Sequence, residues 1–113
     1  MKIKTSEKYE AVIIELKGNV MGGEDTKEFN DTLHKLVDEG KTNLIVDLSG
    51  VKFMNSSGLG MLIGGLTTMK KAEGHFKLAN VTDKIESLLI ITKLITIFET
   101  YDSVDKAVES FEK

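Results

Sequence analysis

With 113 residues, 41% of them hydrophobic, the chain is long enough for one core and short for two, and one domain spanning residues 1–113 is expected. The absence of cysteine excludes a disulfide framework, a thiolate zinc site and a cysteine nucleophile, and the expected compartment is the cytoplasm. The formal charge is −3 and all fifteen basic residues are lysines scattered along the chain, so neither a basic field nor an arginine fork is offered to nucleic acid.

Met1-Lys2-Ile3-Lys4 runs directly into mixed polar and apolar sequence without the apolar stretch of a signal peptide, and no apolar run is long enough for a membrane span. Proline is absent and nothing marks a linker or repeat. Lys2 to Ser6 reads as a weak strand, Glu7 and Lys8 as a turn, and Glu10 to Lys17, with Ala11, Val12, Ile13, Ile14 and Leu16, as its hairpin partner. Gly18 to Gly23 reads as a loop. Asp25-Thr26-Lys27-Glu28 then offers a helix cap with an acidic residue three positions on. Phe29, Leu33, Leu36 and Val37 mark one face of that helix, and Gly40 supplies its left-handed stop.

Asn43 to Leu48 is a short apolar run of the kind buried on both faces of a sheet, followed by an expected loop from Ser49 to Asn55. Leu59, Leu62, Ile63, Leu66 and Met69 mark a second helix closed by Gly74, and Phe76 and Leu78 alternate in the next strand. Thr82 caps a helix through Ile85, Leu88 and Leu89. Ile95 to Thr100 reads as one more short strand, and Asp102 or Ser103 caps a last helix with Val104, Ala107, Val108 and Phe111 inward. The order ββαβαβαβα predicts an α/β fold: a mixed, mainly parallel sheet of four or five strands, an antiparallel hairpin strand at one edge, and about four helices. Ligands and partners of such sheets meet the loops leaving the carboxyl ends of the strands, where Ser49 to Gly58 falls.

Seventeen residues between Lys52 and Lys70 carry no charge, although the helix they contain has one face turned to water. At 100° per residue Leu59, Leu62, Ile63 and Leu66 share one side, whereas Gly60, Met61, Gly64, Gly65 and Thr68 fall around the other. Glycines 58, 60, 64 and 65 each cost a helix about 1 kcal/mol relative to alanine, so some benefit must offset them. Close packing accounts for Gly58 and Gly60 as well as docking does. Gly64 and Gly65 are expected on a smooth outer face that another protein approaches closely, with Met61 as an adaptable apolar contact. Ser56 and Ser57 stand at the helix start, where one hydroxyl is expected to cap and a phosphate would meet free N–H groups and the positive end of the dipole.

The run Asp47-Leu48-Ser49-Gly50-Val51-Lys52-Phe53-Met54-Asn55-Ser56-Ser57-Gly58-Leu59-Gly60 resembles the signature of the STAS family. Gly18 and the loop after it are similar to the family's opening. Ile90-Ile91-Thr92-Lys93-Leu94, Ile97-Phe98 and Tyr101-Asp102-Ser103 are similar to its ending. Asn55 stands where the family commonly has aspartate, and Val20-Met21-Gly22-Gly23-Glu24 replaces a more acidic opening of the first helix. The resemblance implies an anti-sigma factor antagonist without catalytic activity or cofactor. It also implies an anti-sigma factor that is a serine kinase as partner, no direct nucleic acid, no membrane, and a monomer or weak dimer. Ser56 matches the phosphorylated serine, and Asn55, Ser57, Gly58, Gly60, Met61, Gly64 and Gly65 are the expected partner-binding positions. The alternative is an unmodified interaction or sensor module.

Enzyme readings fit less well. Gly58-Leu59-Gly60 with Gly64 puts the third glycine of a dinucleotide fingerprint one residue late, and the acidic residue needed about 20 positions on falls at best at Glu73 or near Lys77, inside or beyond the same helix. Asn55-Ser56-Ser57-Gly58 is not a nucleophile elbow, and His34 and His75 are expected to be solvated or structural.

Overall fold

The computed structural model describes residues 1–111. Two strands, β1 (Lys2–Lys8) and β2 (Ala11–Val20), form the expected antiparallel hairpin. Its turn lies at Tyr9 and Glu10, later than the sequence pattern placed it, with Tyr9 at φ 56°. There follow α1 (Glu24–Asp38), β3 (Asn43–Met54), α2 (Ser56–Lys71), β4 (His75–Ala79), α3 (Asp83–Ile91), β5 (Glu99–Tyr101) and α4 (Val104–Glu109). The five strands lie side by side in chain order, β1 antiparallel and the other four parallel, which is the predicted mixed sheet.

Because each parallel crossover steps one strand in the same direction, α1, α2 and α3 come to lie on one face. There Phe29 and Leu33 of α1, Leu62 and Met69 of α2, and Leu89 of α3 bury completely against Ile14, Leu44, Val46 and Leu78. Leu66 and Phe76 are buried as expected. Among the described residues, the opposite face is covered by α4: Ala107 and Val108 pack on Ala11, Ile13, Ile45 and Ala79. Lys77 lies among them, only 6% exposed, with its Nζ 2.6 Å from Ser110 Oγ, 3.3 Å from Glu99 Oε2 and 4.1 Å from the centre of the Phe111 ring. A lysine there was not anticipated: the alternation of Phe76 and Leu78 says nothing of what covers the residue between them.

Four local expectations are corrected. The segment Ser49 to Asn55 is not a loop: β3 runs on to Met54, paired with a β2 that itself continues past Lys17 to Val20. Register shifts between Glu15 and Lys17, and between Gly18 and Asn19, each leave an extra residue on β3. Inward residues therefore pass from Leu44, Val46 and Leu48 to Val51 and Met54, a spacing that strict alternation hides. The N-cap of α1 is Gly23 at φ 64°, not Asp25, which sits in the first turn beside the chain's amino group. Helix α2 ends with Glu73, not Gly74, in the left-handed region at φ 58°. Gly74 is needed for another reason, since a Cβ there would stand 2.4 Å from the Thr42 carbonyl oxygen. Finally, the last strand is Glu99–Tyr101, and the apolar residues before it form turns, with Phe98 buried. Gly40, at φ 76°, does end α1, its N–H bonded to the Val37 carbonyl and that of Lys41 to Leu36.

Candidate functional site

At the carboxyl end of the sheet the chain leaves β3 at Met54 and turns into α2. The corner is held to the end of β2, where the Asn55 N–H donates to the Val20 carbonyl at 3.3 Å. The N-cap is Asn55 itself. Its Oδ1 accepts from the Gly58 N–H at 2.8 Å, and its carbonyl accepts the first helical bond, from Leu59. This corrects the expectation that a serine caps the helix, and it matters chemically. Both serine hydroxyls are released from capping, and Ser56 and Ser57 are exposed in the first turn.

The two serines are not equivalent. Ser57 Cβ lies against the β2–α1 loop, so closely that a side chain at Gly22 would come within 2.6 Å of it. That loop can approach because Gly22 and Gly23 take φ of 83° and 64°, a region open to glycine without strain.

The four glycines of α2 divide differently from the expectation. Gly58 is buried, and a Cβ on it would lie 2.1 Å from the Val20 carbonyl oxygen. Gly65 is buried too, contrary to its expected place on the outer face. A Cβ there would meet Phe29 and Phe76, each at 2.8 Å, whose rings pack edge to face at 6.4 Å between centroids. Met61, expected as an exposed contact, is 2% exposed and belongs to the core. At Gly65 the cause is α1, whose Phe29 and Leu33 flank α2 and widen its buried arc beyond the stripe that covers the sheet; helical periodicity sees only one wall. Gly60 is exposed and Gly64 half-buried rather than fully exposed, and neither would bring a Cβ within 4 Å of another group. What remains open is a narrow uncharged strip from Ser56 and Ser57 through Gly60 and Gly64 to Thr67.

Two residues beside the site escaped the sequence reading. Asp47 is 7% exposed, and its Oδ1 accepts from the Ser49 N–H and from Asn80 Nδ2, both at 3.0 Å. It joins the first bulge of β3 to the loop after β4. Phe53, in contrast, is 50% exposed just before the cap. An acidic residue within an apolar strand is the signal that could have revealed the first; nothing in the pattern distinguishes the second. Replacing Asn55 by alanine is expected to cost about 1 kcal/mol through loss of the cap, whereas aspartate, which keeps the acceptor and adds charge favourable to the dipole, retains stability. Thermal unfolding of the two variants checks this.

Among the described residues no group of three or more His, Asp and Glu side chains is placed to hold a metal, and no helix is long and apolar enough to cross a membrane. What the end of the sheet offers is a surface to be met, which places the chain among open α/β domains that expose a helix start at the carboxyl end of their strands. The STAS domain model matches residues 2–107, and the chain belongs to that family.

A Staphylococcus aureus anti-sigma-B factor antagonist is 30% identical over 67 residues, 59% of this chain and 62% of its own. A Thermotoga maritima protein, named as a candidate anti-sigma factor antagonist, is 27% identical over 79 residues, 70% of each chain. The crystal structure of a Thermotoga maritima protein of the same description superposes with a TM-score of 0.88 at 22% identity over 98% of this chain and 95% of that one. The anti-sigma factor antagonist SpoIIAA shares the fold in its unphosphorylated form, with a TM-score of 0.75, 18% identity and 98% of both chains covered. The phosphorylated form of SpoIIAA, a Bacillus cell fate determinant, gives a TM-score of 0.74 at 18% identity, over 97% of this chain and 99% of that one.

Proposed function

We propose that this STAS domain is an anti-sigma factor antagonist: it binds an anti-sigma factor that is also a serine kinase, and phosphorylation of Ser56 by that kinase releases it. The observation that carries the reading is the helix start. Asn55 takes over the capping role and leaves an exposed serine at the head of an uncharged strip, paved by Gly60 and Gly64, on which another backbone can lie. Relatives named for antagonism of anti-sigma factors, and the existence of SpoIIAA in a phosphorylated form, support it. In this reading the domain catalyses nothing. It works in the cytoplasm as a monomer or weak dimer, without cofactor, nucleic acid or membrane. Asn55, Ser57 and Gly58 shape the helix start, whereas Gly60 and Gly64 are the positions the partner covers; buried Met61 and Gly65 support the strip from beneath.

Calorimetry with the cognate anti-sigma factor tests the reading. Gly64→Glu is expected to weaken binding at least about tenfold, because the contact would bury an unpaired carboxylate and hold the two backbones apart. Its melting temperature is expected to stay near the wild-type value, since no group stands within 4 Å of the new Cβ and glutamate is the better helix former. Unchanged affinity would remove this strip from the interface. Intact-mass measurement of the protein from its native cells, with no added phosphate under any growth condition, would favour an unmodified interaction module instead.

A further inference from the structure

Beside the serine-bearing helix start, a second feature faces the same end of the sheet. The end of β3 and one side of α3 enclose a groove of about 240 Å³. Its walls include Phe53, Met54, Leu88 and Ile91, and its rim carries Lys52 and Lys84. Phe53 is 50% exposed and Ile91 77%, although both are large and apolar. Lys84, Leu88 and Ile91 follow one another at helical spacing, so α3 turns a single stripe toward the strand end.

Charge narrows what can fill this groove. The chain as a whole is acidic, at −3, yet among the described residues the groove has no acidic lining and two lysines at its edge; Asp83 and Glu86 of α3 do not line it. The exposed lysines therefore favour an occupant bearing carboxylates. The volume lies below the roughly 300 to 1,000 Å³ of small-molecule sites, which suits one or two bulky side chains better than a free metabolite. Apolar anchors seated in such pockets, ringed by polar contacts, supply most of the affinity of protein interfaces.

We propose that this groove receives a bulky apolar side chain from an acidic amphipathic segment of the anti-sigma factor, forming a second anchor beside the α2 strip. This inference rests on the antagonist reading and deepens it by assigning the chemistry of the partner's contact. It also gives the phosphate at Ser56 a second mode of action. Phe53 and Met54 lead directly into Asn55 and Ser56, so a phosphate there adds about −1.5 to −2 charges at the same end of the sheet as the lysine rim. It competes with the partner's carboxylates for the same cations, in addition to obstructing the strip.

Binding of the unphosphorylated protein to the cognate anti-sigma factor, measured by calorimetry at low and at high salt, tests the groove. Lys52→Glu/Lys84→Glu is expected to bind at least about tenfold more weakly and to lose the salt dependence shown by wild type, because rim charges steer and hold an acidic partner. Ile91→Ser is expected to lose about tenfold with little salt dependence of the loss, since it removes apolar anchor area alone. All three altered side chains are exposed, so melting temperatures are expected to stay close to wild type, and Phe53→Ser provides a second apolar variant should Ile91→Ser unfold. Wild-type affinity in both the lysine and the apolar variants overturns the groove while leaving the antagonist reading intact. Failure of wild type itself to bind overturns that reading and the groove's assignment with it. Concentration-dependent dimerisation that Ile91→Ser abolishes, with unchanged anti-sigma factor binding, would assign the groove to a second copy of the chain and overturn the proposal.

Discussion

Alanine at each of the four glycines of α2 is expected to give two pairs of results with opposite sign. At Gly58 the added methyl meets the Val20 carbonyl oxygen at 2.1 Å, a contact with backbone at the end of a fully buried strand residue. No rotamer can relieve it. The corner between β3 and α2 would have to move, breaking the Asn55 cap and the bond from Asn55 to Val20 together. A cost of about 3 kcal/mol is expected, at the upper end for overpacking, even after alanine's gain of about 1 kcal/mol in helix propensity. For a domain of this size that is a fall of roughly 12 °C in melting temperature. Gly65→Ala is expected to be milder, about 1 kcal/mol net, because the opposing atoms are the edges of two phenylalanine rings rather than a carbonyl. Gly60→Ala and Gly64→Ala meet nothing and are expected to raise stability by about 0.5 to 1 kcal/mol each. If Gly58→Ala melted within a degree or two of wild type, the close approach of α2 to β2 would be wrong.

That division shows where the sequence was readable and where it was not. Phe29, Leu33 and Leu36 lie inward as their spacing predicts, Thr82 and Ser103 cap their helices, and the alternation of strands and helices yields the parallel sheet. Each of these is set by neighbours along the chain or by one repeating contact. The misplaced features depend on a second body. Gly65 is taken from the surface by Phe29 and Leu33 of α1 together with Phe76 of β4, and Met61 joins the same core; the flanking position of α1 follows only from the topology. The long β3 escaped notice because two bulges break its alternation while the pairing with β2 continues, and Gly50 and Ser49 within it resemble loop residues.

The helix start was legible in kind and wrong in detail. Polar residues at 55, 56 and 57 announce an N-terminus, but any of the three can cap, and only the geometry of Asn55 Oδ1 at 2.8 Å from the Gly58 N–H decides among them. The difference bears on function, since a capping serine would have its oxygen engaged by the backbone.

Incubation with the cognate kinase and ATP is expected to place phosphate on Ser56, and to leave Ser56→Ala unlabelled while Ser57→Ala is still modified. Both serines are exposed, so access by itself does not choose between them. Ser57, however, has its Cβ pressed toward the Gly22 loop, whereas Ser56 is the first residue beyond the cap, at the corner where the chain leaves the sheet. A phosphate there sits by the first-turn N–H groups and the positive end of the α2 dipole, and Asn55, being neutral, adds no repulsion as an aspartate cap would. The phosphorylated domain is therefore expected to keep its melting temperature within a few degrees. Its partner meets about −1.5 to −2 charges on a face that is otherwise uncharged from Phe53 to Met69, and its affinity is expected to fall by at least about a hundredfold. Ser56→Ala should bind like wild type and resist release by the kinase, and Ser56→Asp should lie between, since one carboxylate reproduces only part of a phosphate's charge and geometry. Phosphosite mapping by mass spectrometry with calorimetry of each form decides the matter: label on Ser57 alone, or full labelling of Ser56→Ala, refutes the assignment of Ser56, and a phosphorylated domain that binds as tightly as the unmodified one refutes the switch.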